Sequence, residues 1–259
     1  MKVAIMGAGD YGTALGGVLA DNGYDIDYYD PKLERENLSE VLCGAKFILL
    51  AIPSAALPYA LPNLPKDVPL IVSTKGILSD KIFAGFKDYM ILSGPGFADD
   101  IKASQKTKLT ATDKRIIKMF STDFLSFDYT NDERGVFLCG ALKNVYAILA
   151  GVLGLERDSS AWNKFIVEVA DEMRQILKSN NAQPKTVDLV CGIDDLKLTC
   201  GFPSRNYEFG NMLRDDPNHQ PEKTVEGVSA LKKIKCGEIV LPNNVPHLRD
   251  LIIRSDKWA

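Results

Sequence analysis

Residues Val3 to Met6 form a short apolar run that breaks at "GAGDYG", after which the apolar positions Ala14, Leu15, Val18 and Leu19 take up helical spacing. An apolar run without polar alternation belongs to a strand covered on both faces, the usual condition of a parallel strand. Strand, glycine turn and helix in this order form the opening of a wound α/β sheet. Gly7, Gly9 and Gly12 have the G-x-G-x-x-G spacing. Glycines at those positions permit the tight turn, the approach of backbone to a pyrophosphate and close helix–strand packing, while the helix N-terminus attracts phosphate. The motif is weak alone, but between a strand and a helix it points to dinucleotide binding.

The alternation continues. "YDIDYYD" reads as a second strand ending on Asp30, "KFILLAIPS" as a third, "VPLIVSTKG" as a fourth and "YMILSGPG" as a fifth, with short helical or polar connections such as "KLERENLSEVLCG" between them. "TATDKRIIKMFST" reads as a helix and "FLSFDYTND" as a last strand. This predicts a doubly wound parallel sheet of the Rossmann type. Asp30 lies 18 positions after Gly12, where an acid reaches adenosine ribose hydroxyls. A carboxylate there repels a 2′-phosphate and favours NAD over NADP, a preference that Lys32 weakens; a strand-end turn would also explain the residue. Loops beyond the carboxyl ends of strands border the ligand crevice in such sheets. That places "AIPSAAL", Lys75 in "STKGIL", and Gly94 and Gly96 in "LSGPGFADD" beside the bound molecules.

From Glu133 onward helical periodicity takes over, predicting a Rossmann domain at residues 1–131 and an all-α domain at 132–259. "CGALKNVYAILAG" sets Lys143 and Asn144 among apolar and small residues. An ammonium in such a helix either snorkels from a partly exposed turn or meets a cleft or a counter-charge. Farther on, "AWNKFIVEVADEMRQILKS" and a segment near "VDLVCGIDDLKLTC" read as helices. Within "GIDDLKLTCGFPSRN", Asp194, Asp195, Thr199, Ser204, Arg205 and Asn206 lie close together. An aspartate there could supply the counter-charge of Lys143, and Arg205 offers the planar donor fork used for phosphate. A helix start followed by a solvated loop would show the same letters.

The composition narrows the class. A net charge of -3 gives no reason to expect nucleic acid or an acidic membrane surface as partner. The five cysteines are odd in number and unpaired in spacing, which suits reduced thiols. Two isolated histidines offer no metal-ligand cluster, so a metal-free mechanism is expected. "MKVAIMGAG" is too short for a signal sequence, and no uninterrupted apolar run has the length of a membrane span, so a cytoplasmic protein without an integral membrane segment is expected.

With these residues in view, the sequence resembles the NAD(P)-dependent glycerol-3-phosphate dehydrogenases. The matches run in order: "GAGDYGTALG", "AIPS", "TKG", "LSGPGFA", "GALKNVYAILAG", "DDLKLTC", "SRNYEFG" and "VEGV". The resemblance implies a Rossmann domain followed by a helical one, and an enzyme that reduces dihydroxyacetone phosphate to glycerol 3-phosphate for phospholipid synthesis. It implies Lys143 as general acid/base, with Asp195 as its partner, on a helix that walls the catalytic cleft. Lys75, Asn144, Ser204, Arg205 and Asn206 would hold the substrate, with Thr199, Gly94 and Gly96 beside it. Asp10, Tyr11, Ala98, Arg205 and Glu226 would touch the cofactor, and Lys75 would border it. A homodimer is left open.

The chain departs from that pattern in several places. It is short, with compressed connections after Asp30 and Lys75 and a short C-terminus; Gly96 replaces a usual serine, and Tyr11 a usual tryptophan or phenylalanine. The stretch "ERDSSAWNKFIVEVADEM" replaces a family segment altogether. Two alternatives therefore stand beside the first reading: a dehydrogenase of another small phosphorylated ketone or alcohol, and a catalytically silent NAD-binding regulatory protein.

Overall fold

A computed structural model describes residues 1–33, 37–221 and 224–258, so residues 34–36 of the connection after the second strand lie outside the described residues. The chain forms two compact units, Met1–Thr74 with Asp80–Glu133, and Lys75–Ser79 with Arg134–Ala259. A single division at 131/132 makes no provision for Lys75–Ser79, which groups with the helical unit.

The first unit is built on β1 (Lys2–Met6), β2 (Asp25–Tyr29), β3 (Phe47–Leu50), β4 (Leu70–Val72), β5 (Tyr89–Ser93), β6 (Thr107–Ala111) and β7 (Leu125–Tyr129). Their order in the sheet is β2-β1-β3-β4-β5-β6-β7. It carries α1 (Asp10–Asp21), α2 (Leu38–Leu42), α3 (Leu57–Ala60), α4 (Ala98–Lys102) and α5 (Lys114–Phe120). β1 pairs in parallel with both β2 and β3, so the winding reverses at β1 and opens a crevice at its carboxyl end, where the glycines stand. Val3, Ile5, Leu49, Ile71 and Leu92 of the sheet pack with Leu15 and Leu19 of α1 and Ile116 and Phe120 of α5.

The sheet is mostly parallel as expected, but β5 pairs antiparallel with β6. β6, "TKLTA", was not expected, and the helix expected from Thr110 starts only at Lys114. Threonine and lysine hide this strand from a hydrophobic count. Just beyond β6, Thr112 exchanges two bonds with Ile91 of β5: its hydroxyl accepts from the Ile91 N–H at 2.8 Å and its own N–H donates to the Ile91 carbonyl at 3.0 Å.

The described regular elements of the second unit are all helical: α6 (Glu133–Val152, from Arg134 on), α7 (Ser160–Ser179), α8 (Asp195–Thr199), α9 (Arg205–Asp215), α10 (Glu226–Lys235) and α11 (Pro246–Arg254). α6 is buried throughout Gly135–Gly151. It has the length and apolar composition to cross a membrane, but its own unit's helices enclose it, the condition of a core helix. Glycines let the helices close on it. A Cβ on Gly227 of α10 would stand 2.5 Å from the Asn144 carbonyl, and Gly151 of α6 lies against α9, its Cβ position 2.8 Å from the Asn211 nitrogen. α7 presents Trp162, Phe165, Ile166, Val169, Met173, Ile176 and Leu177 to this core at helical spacing.

The single helix expected near residues 187–200 is broken into a 3-10 turn at Pro184–Asp188, a π turn at Val190–Asp194 and the short α8. Gly192 packs so tightly on the backbone of Val187 that a Cβ would overlap it, so the segment folds back on itself. Propensity along the chain does not contain that contact.

Candidate active site

In the first unit, the turn between β1 and α1 is shaped by its own backbone. Gly7 has φ +104°, and a Cβ there would stand 2.7 Å from the Ala51 carbonyl oxygen; a Cβ on Gly12 would overlap the Gly7 carbonyl. Gly9 is different, since no atom stands within 4 Å of its Cβ position and packing within the chain does not demand glycine. An open backbone at the N-terminus of a 12-residue helix is a cradle that a side chain would fill, and it fits a pyrophosphate. Asp30 braces this turn: its Oδ2 accepts from the Ala8 N–H at 3.1 Å and its Oδ1 from the Lys32 N–H at 3.0 Å. Asp10 opens α1 and pairs at 3.0 Å with Lys102 of α4, the helix that Ala98 begins. Tyr11 packs against the core of this unit.

Gly94, with φ +140°, begins the "GPG" loop, which Gly96 closes by donating its N–H to the Gly94 carbonyl at 3.0 Å. The Cβ direction of Gly96 faces Leu109 Cδ2 at 3.2 Å, Ile101 at 3.5 Å and Thr107 at 3.6 Å. A serine hydroxyl at 96 would therefore start out toward the packing of this unit.

In the second unit, Lys143 does not snorkel. It forms an ion pair with Asp195 Oδ2, and each side chain is only 2% exposed. Of the two adjacent aspartates, Asp195 is buried at the start of α8 while Asp194 is exposed. Burial pushes the Lys143 pKa down from 10.5 to about 8; Asp195 opposes that fall, and the like charge of Lys75 adds to it. Lys75 thus acts on Lys143 from its own segment, Lys75–Ser79. Cys191 and Cys200 complete the electrostatic surroundings, and burial holds the Cys200 thiol far above its usual range. A lysine poised near neutrality beside a fixed carboxylate can give or take a proton.

Asn144 and Asn206 come together, but their side chains bond to each other. The Asn206 Nδ2 donates to Asn144 Oδ1 at 3.0 Å, Asn144 Nδ2 donates to the Gly140 carbonyl at 3.1 Å, and the Gly227 N–H donates to Asn206 Oδ1 at 2.9 Å. This relay ties α6, α9 and α10 and uses both carbonyl oxygens, leaving amide hydrogens for anything else. Thr199 donates its hydroxyl to the Asp195 carbonyl at 2.6 Å, and the Ser204 hydroxyl caps α9 at the Tyr207 N–H. Arg205 is exposed on the first turn of α9, and Glu226 begins α10.

Sequence reasoning passed over one cluster. Glu172 of α7 is buried and accepts from the Tyr146 hydroxyl at 2.9 Å and from the N–H groups of His247 and Leu248 at 2.8 and 3.2 Å; His247 Nδ1 lies 2.7 Å away. The carboxylate thus sits at the N-terminus of α11. Its partners are 26, 75 and 76 positions away, so no local pattern reveals it.

Comparison with known proteins identifies the family. The profile described as NAD-dependent glycerol-3-phosphate dehydrogenase C-terminus matches residues 132–238. A Bacillus velezensis protein named glycerol-3-phosphate dehydrogenase [NAD(P)+] is 32% identical, the match covering 82% of this chain and 76% of that protein. One of the same name from Pseudomonas syringae pv. syringae is 30% identical over 92% of this chain and 85% of its own length. The crystal structure of glycerol-3-phosphate dehydrogenase from Coxiella burnetii shares the fold with a TM-score of 0.80 at 23% identity, covering 96% of this chain and 93% of that one. This chain belongs to the family of the NAD(P)-dependent glycerol-3-phosphate dehydrogenases.

Proposed function

We propose that this protein interconverts glycerol 3-phosphate and dihydroxyacetone phosphate with NAD(P), and that Lys143 carries the proton of the reaction. The observation that carries the reading is the buried Lys143–Asp195 pair with the lysine pKa near 8. The relatives' names supply the substrate and cofactor classes.

When bound, the nicotinamide exchanges a hydride with the substrate carbon. The chain's own residues do the rest. In reduction the Lys143 ammonium gives a proton to the carbonyl oxygen and becomes neutral; in oxidation the neutral amine takes the hydroxyl proton. Asp195 orients the amine and holds it charged long enough to act as an acid. Lys75 and Arg205 serve the substrate's oxygens and phosphate, Arg205 through its donor fork beside the amides of the first turn of α9. Ser204 and the Asn144–Asn206 relay set the position of that turn. The open backbone at Gly9, with Gly7 and Gly12, holds the pyrophosphate, and Asp30 receives the ribose hydroxyls and favours NAD. The family resemblance assigns Asp10, Tyr11 and Ala98 to the cofactor, and likewise Glu226, which begins α10.

The product feeds phospholipid synthesis in the cytoplasm. A different phosphorylated substrate gains no support from Gly96, because its Cβ direction faces Leu109 and its neighbours. The test is oxidation of NADH by the purified protein with dihydroxyacetone phosphate, beside NADPH and beside unphosphorylated dihydroxyacetone. Rapid turnover confined to the phosphorylated ketone is expected; binding of NADH without turnover would leave a silent nucleotide-binding protein.

A further inference from the structure

Two side chains within residues 156–173 reach the far end of α8. Arg157 donates Nη2–H to the Leu198 carbonyl at 2.8 Å, and Trp162 donates Nε1–H to the Cys200 carbonyl at 2.6 Å. The last carbonyls of a helix have no partner within it and need an outside donor. α8 has five residues, so it holds itself poorly and depends on such donors. The Arg157 guanidinium also lies close against Gly201, where a Cβ would stand 2.8 Å from its Nε and 3.1 Å from its Nη2. Gly201 in turn accepts the Ser204 N–H at 3.0 Å, and Ser204 caps α9 immediately before Arg205. Trp162 is itself fixed, since its own N–H donates to the Ser159 hydroxyl that caps α7.

These contacts form a connected path. One end of α8 bears Asp195 against Lys143; the other end is gripped by Arg157 and Trp162; the segment that follows leads through Gly201 to Arg205. We propose that Arg157 and Trp162 are positioning residues of this enzyme, which fix the segment from α8 to the start of α9 and so set both the Lys143–Asp195 pair and the Arg205 fork. The inference deepens the proposed function and rests on it. Neither residue touches the reacting atoms. Arg157 is exposed and Trp162 buried, so the grip combines a surface cation on a helix C-terminus with a core indole donor. It also accounts for the local sequence: an arginine and a tryptophan five positions apart, one before and one after the Ser159 cap, reach carbonyls two positions apart.

The test compares the full-length protein with Arg157→Ala, Arg157→Lys and Trp162→Phe. Amide exchange read by mass spectrometry should quicken in the segment 197–205 of Arg157→Ala and Trp162→Phe and stay unchanged in the first unit. That readout is independent of turnover. In turnover, Arg157→Ala should raise the KM for dihydroxyacetone phosphate about tenfold, the equivalent of roughly one lost hydrogen bond, with the NADH KM unchanged. Arg157→Lys should recover part of the loss, because an ammonium can still reach the Leu198 carbonyl. Trp162→Phe changes no charge, so its pH profile reads position alone. The groups facing Lys143 electrostatically are Asp195, Lys75, Cys191 and Cys200; a looser Asp195 supports the charged lysine less, and the alkaline limb of the reduction should move to lower pH. Unchanged exchange in segment 197–205 in both variants would overturn the proposal. So would an active wild type whose variants keep its KM and pH profile. A wild type without turnover would instead sink the proposed function, leaving the exchange result to decide the positioning.

Discussion

Lys143 Nζ and Asp195 Oδ2 form an ion pair from which water is almost wholly excluded, across 52 positions of sequence. Removing either partner leaves a buried charge uncompensated, while together they hold a lysine able to release its proton near neutral pH. Lys143→Met should lower kcat about 10²- to 10⁴-fold, the usual worth of a positioned proton-transfer group, with NADH affinity retained. Steady-state kinetics with fluorescence titration of NADH checks both halves.

The pH dependence follows from the sign of the shift. In the proposed mechanism reduction uses the charged lysine, so its rate should fall as pH rises through about 8, and oxidation should rise through the same range. Asp195 raises the lysine pKa against its burial, so Asp195→Asn should move both limbs to lower pH by about one unit or more. A limb that stays in place would detach Asp195 from the titration. Folding responds too. The folded pKa lies below the unfolded value of 10.5, so the unfolded chain binds more protons between about 8 and 10.5, and this group's contribution to stability improves as pH rises through that window.

Arg205→Ala tests the phosphate. Hydrogen bonds to charged groups are worth about 1.5–3 kcal/mol, so the KM for dihydroxyacetone phosphate should rise roughly 10- to 100-fold. Unphosphorylated dihydroxyacetone should be indifferent to the change, and an equal loss with both ketones would remove Arg205 from the phosphate site.

Asp30 braces the glycine turn and has a proposed role at the cofactor ribose, and substitution can separate the two. Asp30→Asn keeps an acceptor for the Ala8 N–H but removes the charge, and should shift the ratio of NADH to NADPH efficiency toward NADPH by roughly tenfold, about 1.4 kcal/mol. Asp30→Ala also frees the Ala8 N–H and should weaken both cofactors. Paired kcat/KM measurements distinguish the two effects.

Glu172→Ala should destabilise the fold rather than tune the chemistry. It strands the buried Tyr146 hydroxyl and two N–H groups at the start of α11, a loss on the order of 3 kcal/mol or more. Urea unfolding should report that loss, and whatever turnover remains should keep the wild-type pH limbs.

The parallel part of the sheet and its glycine turn were legible in the sequence because they rest on local rules. Val3–Met6 is apolar without alternation because both its faces are covered, and Gly7 and Gly12 are glycine because nearby backbone leaves no room for a Cβ. Lys143 stands out as an anomaly in an apolar helix, one that requires an exposed turn, a cleft or a counter-charge. Which aspartate met it lay beyond the letters, since Asp194 and Asp195 are chemically alike and only the folded structure shows Asp195 buried against Lys143 and Asp194 exposed. The same holds for β6, whose threonines became a strand through bonds to β5, and for Asn144 and Asn206, which look like two substrate donors and fold into one relay. Periodicity, turn chemistry and cradle geometry act over a few residues and can be read along a chain. Partners 20 to 75 positions apart, such as Glu172 and His247, are chosen only when packing brings helices together, and that choice exists only in three dimensions.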